Sequence, residues 1–201
     1  MKNNAITIAD VAEALGVSKT TVSRAISGKG RIGAATRKRV LDYIEEHDYK
    51  PNVIAKGLAQ SKTYNLCVVI PENYALVDLP FFQEALTGIQ EIAGMHEYDI
   101  LLCISQKDDV AGLERIVRNR KVDGIVLLRT SLKDPQIELL LKKNIPFVTT
   151  GSTTYKNVKQ VDNDHLSACR ELTSILLMRG MKRIALLGGS ESYVVTQNRY
   201  K

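Results

Sequence analysis

The chain has 201 residues, a net charge of +6 and a hydrophobic fraction of 44%, enough for one small and one medium-sized domain. No stretch approaches the roughly 20 apolar residues of a membrane-spanning helix, and the N-terminus has no apolar signal region. We therefore expect a cytoplasmic protein with no membrane partner. The cysteines are widely separated, which argues against a disulfide framework and against zinc, and we expect Cys67 and Cys103 to be buried thiols.

The charge is unevenly distributed along the chain. Residues 1–62 contain eleven Lys and Arg against six Asp and Glu, whereas residues 63–201 contain seventeen against sixteen. Almost all of the positive charge therefore lies in the first third of the chain. This distribution favours a polyanionic partner for the N-terminal segment.

The N-terminal segment predicts two short helices joined by a tight turn. Thr7 and Asp10 form a capping-box-like start, and apolar residues follow at helical spacing as far as Leu15. Gly16 can end this helix, and Ser18 can cap the next one. The residues expected on the outward face of the second helix are Lys19, Thr20, Thr21, Ser23 and Arg24. A helix-turn-helix of this kind places one helix in the DNA major groove.

A third helix is predicted over residues 34–47, with Val40, Leu41 and Ile44 facing the core. The cations of residues 37–39 lie early in this helix, where they oppose the helix dipole. Phosphate is the partner that would explain them, and an ordinary solvated helix face is the alternative.

From Asn65 onward, strand-like and helix-like segments alternate. The predicted strands are 66–70, 100–104, 124–128, 146–149 and 184–187, and the predicted helices are 80–95, 110–120, 135–143 and 163–179. This alternation predicts an α/β domain with a doubly wound parallel sheet, which binds small ligands beyond the carboxyl ends of its strands.

An ordered series of motifs runs along the whole chain. It comprises the block from Thr7 to Arg24, Thr36-Arg37 with Val40, Tyr49 to Leu58, Pro80-Phe81-Phe82, Val122 to Ile125, Val161-Asp162-Asn163, and Arg179 to Ile184. The series closely resembles the lactose-repressor (LacI/GalR) family of bacterial transcription regulators. The resemblance implies an all-α helix-turn-helix head (1–48), a hinge helix and linker (49–62), the first lobe of a periplasmic-binding-protein-like effector domain (63–161) and the start of its second lobe (162–201).

The resemblance also implies roles in DNA binding for individual residues. Lys19 and Thr20 would read bases, and Arg24 would contact a base edge or a phosphate. The residues implied to hold the DNA backbone are Thr7, Ser18, Thr21, Ser23, Asn52 and Lys56. Leu58 would be a minor-groove wedge, paired with Leu58 of a second subunit at the centre of a near-palindromic operator.

The hinge is expected to be loose. Lys56 replaces an arginine that is commoner in the family, and Gly57 lies inside the hinge helix, where glycine costs roughly 1 kcal/mol relative to alanine. So short a helix is marginal alone, so we expect it to fold on DNA when two copies meet.

For the effector, the resemblance implies a small molecule such as a sugar held between two lobes. Phe81 and Phe82 would pack against it, although a core position is the alternative for both. Asp162 would lie at the lobe crossover, and Arg199, on the loop after strand 184–187, would donate hydrogen bonds through its guanidinium. Because residue 201 follows soon after, we expect an incomplete second lobe with exposed apolar surface between 164 and 188.

No catalytic constellation is evident in the sequence. Each of the three histidines is isolated, and neither a nucleophile-elbow pattern nor a phosphate-binding loop is present. We expect no catalysis, cofactor or metal. The interpretation is a homodimeric, effector-gated repressor. The alternatives are a truncated, effector-blind fragment that interferes with a full-length partner, and a sugar-binding module without a regulatory role.

Overall fold

The computed structural model describes residues 6–28, 30–72, 80–105 and 109–201. The chain divides into two compact units, residues 1–61 and 62–201.

Unit 1 is helical. Its elements are α1 (Ile8–Leu15), α2 (Lys19–Ser27), α3 (Ala34–Glu46) and α4 (Val53–Gln60). The core of the first three helices consists of Val11, Ala12, Val22, Ala25, Val40 and Tyr49. The predicted helix-turn-helix and third helix are therefore confirmed. The expectation for Leu41 was wrong, because Leu41 follows Val40 by one position, about 100° further around the helix, and is 41% exposed.

Side-chain caps fix the ends of α1 and α2. Asp10 Oδ2 accepts a hydrogen bond from Thr7 N at 2.7 Å, and Thr7 Oγ1 accepts one from Asp10 N at 3.4 Å, which completes the predicted capping box. Gly16 then closes α1 in the left-handed conformation, at φ 65°. Ser18 Oγ accepts from Thr21 N at 3.1 Å, so that α2 begins one residue later, at Lys19.

Unit 2 contains five strands and five helices within its described residues. They are β1 (Asn65–Pro71), α5 (Pro80–Met95), β2 (Asp99–Ser105), α6 (Ala111–Arg118), β3 (Gly124–Leu127), α7 (Pro135–Lys143), β4 (Phe147–Thr150), β5 (Lys159–Val161), α8 (His165–Met178) and α9 (Val194–Tyr200). All strand pairs are parallel, in the order β2-β1-β3-β4-β5. This order confirms the predicted doubly wound sheet.

Helices pack on both faces of the sheet. On one face, α6 and α7 cover apolar residues of β1, β2 and β3, and both Cys67 and Cys103 are buried there, as predicted. On the other face, α5 packs against Val68 and Ile70 of β1 through Phe82. Ile92, further along α5, is exposed.

The structure corrects the sequence prediction after residue 180. Residues 181–190 have no regular secondary structure, so the predicted strand 184–187 is not formed, and Leu187 is 99% exposed. A strand needs a neighbour for its backbone N–H and C=O groups, and among the described residues none pairs with this segment. In place of a loop, α9 follows and carries Arg199, and β5 is an additional short strand that the sequence did not indicate.

The expected apolar surface after residue 164 is confirmed. α8 has no buried residue. The exposed large apolar side chains of this region are Leu172, Ile175, Leu177, Met178, Met181, Ile184, Leu186 and Leu187. Within the described ranges, no helix combines the length and apolar character that crossing a membrane requires.

The packing of α7 can be tested with a pair of adjacent leucines. Leu140 is fully buried, whereas Leu141 is 45% exposed on the same helix. We expect Leu140→Ala to lower the free energy of unfolding by about 2–5 kcal/mol through the cavity it leaves, and Leu141→Ala to lower it far less. Urea denaturation of both variants measures the difference, and equal losses would contradict the described packing.

The cap of α2 can be tested in the same way. Ser18→Ala removes the acceptor for Thr21 N, and we expect it to destabilise unit 1 by about 1 kcal/mol. Ser23→Ala, an exposed change in the same helix, serves as the control. Thermal unfolding followed by circular dichroism should separate the two variants; identical midpoints would show that the cap contributes nothing.

Candidate nucleic-acid interface and ligand crevice

The first turn of α2 presents exposed polar side chains. Lys19 and Thr20 are exposed, and they lie in the chain between Ser18 and Thr21, whose hydroxyls are 2.9 Å apart in the cap. Buried Val22 and Ala25 hold the opposite side of α2 against the core. The core therefore fixes which face of α2 points outward, and Ser23 and Arg24 extend that face along the helix.

Two arginines lie against the loop that joins α2 to α3. A Cβ atom at Gly30 would lie 3.2 Å from Arg24 Cδ, and one at Gly28 would lie 3.2 Å from Arg37 Nη2. Both glycines have positive φ angles, 86° and 68°, which other residues rarely adopt. The loop therefore brings two guanidinium-bearing side chains against its backbone and concentrates positive charge beside α2.

Arg39 has a partner within the protein. Its Nη2 donates a hydrogen bond to the carbonyl oxygen of Leu15 at 3.2 Å, at the C-terminal end of α1. A cation at this position complements the helix dipole. All three cations predicted to face phosphate are exposed on α3, and the hydrogen bond to Leu15 distinguishes Arg39 from Arg37 and Lys38.

α4 is a helix of eight residues with a side-chain cap at its start. Its expected folding on DNA stays a prediction. Asn52 Oδ1 accepts hydrogen bonds from Ile54 N at 2.9 Å and from Ala55 N at 3.1 Å, which caps the helix. Leu58 is 82% exposed and Ile54 is similarly exposed, so α4 presents unburied apolar side chains. Lys56 is half-buried.

At the carboxyl end of β3, an arginine lies between two aromatic rings. The Arg129 guanidinium carbon is 5.4 Å from the centroid of the Phe82 ring and 4.3 Å from that of Tyr193. The backbone reinforces this contact, since Val194 N donates to the Thr130 carbonyl at 3.4 Å and Ser131 forms an antiparallel bridge with Tyr193. The start of α9 is therefore attached to the end of β3.

Hydroxyl and carboxylate groups link the ends of β3, β4 and β5. Thr130 Oγ1 donates to the Ser152 carbonyl at 2.6 Å, and Ser152 N donates to Asp162 Oδ2 at 2.7 Å. Desolvation raises the pKa of Asp162, but hydrogen bonds from Ser152 and Asn163 and the nearby His165 outweigh it and hold the pKa below its ordinary value. Asp162 is therefore an ionised cross-link between these strand ends.

The Asp134 carboxylate is a second cross-link near the carboxyl end of β3. Its carboxylate accepts hydrogen bonds from the backbone N–H groups of Ser131, Gln136 and Ile137 at 3.0 to 3.1 Å, and it caps α7. Burial raises the pKa of Asp134 although these three donors lower it. The side chain fixes the β3–α7 connection that carries Thr130.

The residues predicted to bind an effector are placed differently from one another. Phe82 is 2% exposed and part of the core, whereas Phe81 is 50% exposed. The two rings meet edge to face, with their centroids 5.3 Å apart. Arg199 is exposed on α9, and not on a loop. Arg129 and Tyr193 were not predicted from the sequence. A cation directly after the buried apolar run of β3 is the signal that could have indicated Arg129. Among the described residues, no cluster of three or more metal-ligating side chains occurs.

Comparison with known proteins agrees with this architecture. The model of the bacterial regulatory proteins, lacI family, matches residues 7–52, and that of the periplasmic binding proteins and sugar binding domain of the LacI family matches residues 63–201. The HTH-type transcriptional regulator MalR of Streptococcus pneumoniae is 34% identical over 197 residues, which cover 96% of this chain and 60% of MalR. This relative is named as a transcriptional regulator and not as an enzyme.

Solved structures show the same fold. The transcriptional regulator CelR–cellobiose complex has a TM-score of 0.60 at 27% identity, over 97% of this chain and 59% of that one. The Lac repressor dimer bound to operator and the anti-inducer ONPF has a TM-score of 0.76 at 24% identity, over 98% and 60%. The chain thus spans about 60% of the length of the relatives that it matches. The chain belongs to the lacI family of bacterial regulatory proteins.

Proposed function

We propose that this chain is a sequence-specific DNA-binding transcription regulator, a repressor that acts as a homodimer on a near-palindromic operator. The observation that carries the proposal is the exposed first turn of α2, where Lys19 and Thr20 project from a helix held by its core. The position of α2 in a helix-turn-helix suits insertion into the major groove. The similarity to MalR, an HTH-type transcriptional regulator, supports the same function.

In this proposal the polar side chains of unit 1 divide into two groups. Lys19, Thr20 and Arg24 contact base edges, where a cation or hydroxyl can distinguish donors from acceptors. The residues proposed to contact the phosphate backbone are Thr7, Ser18, Thr21, Ser23, Asn52 and Lys56. Since Asn52 Oδ1 caps α4, its Nδ2 is the group that would donate to a phosphate. Leu58, exposed on α4, is the proposed minor-groove wedge of each subunit.

We propose a small sugar as the effector of unit 2. The fold places ligands beyond the carboxyl ends of parallel strands, and CelR, a relative in structure, is complexed with cellobiose. Phe81, Asp162 and Arg199 are the proposed contact residues, and buried Phe82 would act by shaping the crevice through its contact with Arg129. We also propose that the protein is cytoplasmic and that it performs no catalysis.

The function is tested by selecting duplexes from a random pool with the purified chain at two salt concentrations. We expect enrichment of a near-palindrome that persists at the higher salt. Sequence-blind binding that is lost steeply with salt would contradict the proposal, because it would reflect phosphate contacts alone. Repeating the binding measurement with cellobiose or maltose present tests the effector class; unchanged affinity with both sugars would count against these two effectors.

Base reading by Lys19 can be separated from phosphate contact. If Lys19 contacts guanine, Lys19→Ala should cost about 1–3 kcal/mol of discrimination at one base position in each half-site. Lys38→Ala, an exposed cation on α3, is the control, and we expect it to weaken binding evenly across sequences. Competition binding against a set of single-base variants measures both effects. An even loss with Lys19→Ala would assign Lys19 to the phosphates instead.

The wedge role of Leu58 predicts a loss of binding without a loss of stability. Leu58→Ala should weaken binding to the selected duplex at least about tenfold, or 1.4 kcal/mol, because the inserted side chain stabilises the bent duplex. Leu58→Met retains an apolar wedge and should bind nearly as well as the wild type. Since Leu58 is largely exposed, neither change should shift the unfolding temperature. Wild-type affinity of Leu58→Ala would exclude the wedge.

A further inference from the structure

We infer that Asp123 is a positioning residue that fixes the segment after the hinge helix onto unit 2, and through which DNA affinity depends on the parallel sheet. The inference rests on the proposed function for its DNA-binding part. Asp123 lies in the connection between α6 and β3 and directly precedes Gly124, the first residue of β3. The segment that it fixes consists of residues 62–65, the first residues of unit 2.

Three donors of the segment converge on the Asp123 carboxylate. Oδ1 accepts hydrogen bonds from Thr63 N and from Thr63 Oγ1, both at 2.8 Å, and Oδ2 accepts one from Tyr64 N at 3.1 Å. The Tyr98 hydroxyl donates to the same carboxylate. Hydrogen bonds to an ionised acceptor are about twice as strong as neutral ones, so this carboxylate is a strong point of attachment.

Backbone hydrogen bonds attach the same segment to both neighbours of β1. Asp123 N donates to the Asn65 carbonyl at 2.8 Å on the β3 side, and Asp99 N donates to the Tyr64 carbonyl at 2.8 Å on the β2 side. Asn65 Nδ2 also donates to the Lys121 carbonyl at 3.2 Å. Residues 64 and 65 are thereby held in the plane of the sheet, at the amino end of β1, an interior strand.

The segment adopts a conformation that these contacts must sustain. Tyr64 has a φ of 56°, in the left-handed region, which a tyrosine adopts only when its surroundings hold it there. The Lys62 ammonium lies 5.9 Å from the centroid of the Tyr64 ring and 6.0 Å from that of Tyr98. Cation–π attraction therefore helps to hold Lys62, the first residue of unit 2, against these rings.

The anchor persists near neutral pH. Desolvation raises the pKa of Asp123, but the donors of Thr63, Tyr64 and Tyr98 outweigh it and lower the pKa below its ordinary value. A carboxyl with a depressed folded-state pKa contributes its stability above the unfolded-state pKa and loses it as the pH falls through the folded value. The carboxylate is thus ionised throughout the physiological range, which makes it a permanent attachment.

Asp123 and the candidate ligand crevice lie at opposite ends of β3. β3 spans only Gly124–Leu127, so Asp123 precedes the strand and Arg129 follows it closely. Coupling between distant sites travels through rigid packed elements of this kind. A shift of β3 caused at its carboxyl end would move Asp123, and with it Thr63 and the chain that leads back to α4.

The test compares Asp123→Asn with Asp99→Asn in the full chain. Asn presents one acceptor oxygen and one NH₂ group, so at least one of the three bonds to residues 63 and 64 is lost. Asp99 is exposed at the start of β2; its replacement makes the same change of charge and retains the backbone N–H that donates to the Tyr64 carbonyl. We expect amide hydrogen exchange of Thr63 and Tyr64 to become about tenfold faster in Asp123→Asn and to stay at the wild-type rate in Asp99→Asn.

The second readout is affinity for a duplex that the wild type enriches. Asp123→Asn should bind about tenfold more weakly than Asp99→Asn. Faster exchange with equal affinities would overturn the positioning role, as would unchanged exchange. If wild-type chain enriches no duplex, the proposed function fails, and the exchange rates alone then decide whether Asp123 fixes the segment.

A second pair of variants, which change Thr63 instead, tests the inference if Asp123→Asn does not fold. Thr63→Val retains the shape of the side chain but removes the hydroxyl, which donates to Asp123 Oδ1 and accepts from Asn65 N at 3.2 Å, whereas Thr63→Ser retains the hydroxyl. We expect Thr63→Val to speed exchange and weaken DNA binding by severalfold and Thr63→Ser to restore both to near wild-type values. Equal behaviour of the two variants would overturn the inference.

Discussion

The pairing of β1 with both β2 and β3 is the interaction on which unit 2 depends. A parallel strand in the middle of a sheet must satisfy its backbone groups on both edges and bury both of its faces. β1 meets both requirements, with β2 and β3 on its edges, α6 and α7 covering one face and α5 the other. The carboxyl ends of the strands then meet at one edge, where Arg129, Thr130 and Ser152 come together, and the amino end of β1 receives the chain from unit 1.

The structure of unit 1 depends in the same way on a small hydrophobic core. Val22 and Ala25 bury one side of α2, so the remaining side chains of that helix, Lys19 and Thr20 among them, point outward. Short helices are marginal on their own, and the caps of Thr7 and Ser18 supply part of what local propensity does not. The polar face proposed to contact DNA is therefore a consequence of core packing and capping together.

Local signals in the sequence predicted most of the helices and strands. The features that were not predicted depend on contacts between residues far apart in the sequence. The α5 and α7 bounds, Pro80–Met95 and Pro135–Lys143, follow from apolar periodicity and agree with the structure. The segment 184–187 has the composition of a buried strand, but no described strand pairs with it, and β5 is three exposed residues with no pattern to detect. The contacts of Asp123 with Thr63, and of Arg129 with Phe82 and Tyr193, join residues more than 45 positions apart, which a pattern of near neighbours cannot indicate.

The central claim is that two copies of unit 1 read a paired DNA site. The most direct measurement is fluorescence anisotropy of the full chain, at physiological salt, on a selected duplex and on the same duplex with one half-site scrambled. Specific sites bind proteins of this class roughly 10³-fold or more tightly than non-specific DNA. We predict that scrambling one half-site lowers the affinity at least about a hundredfold. Equal affinities for the two duplexes would show that the chain does not read paired half-sites and would contradict the account.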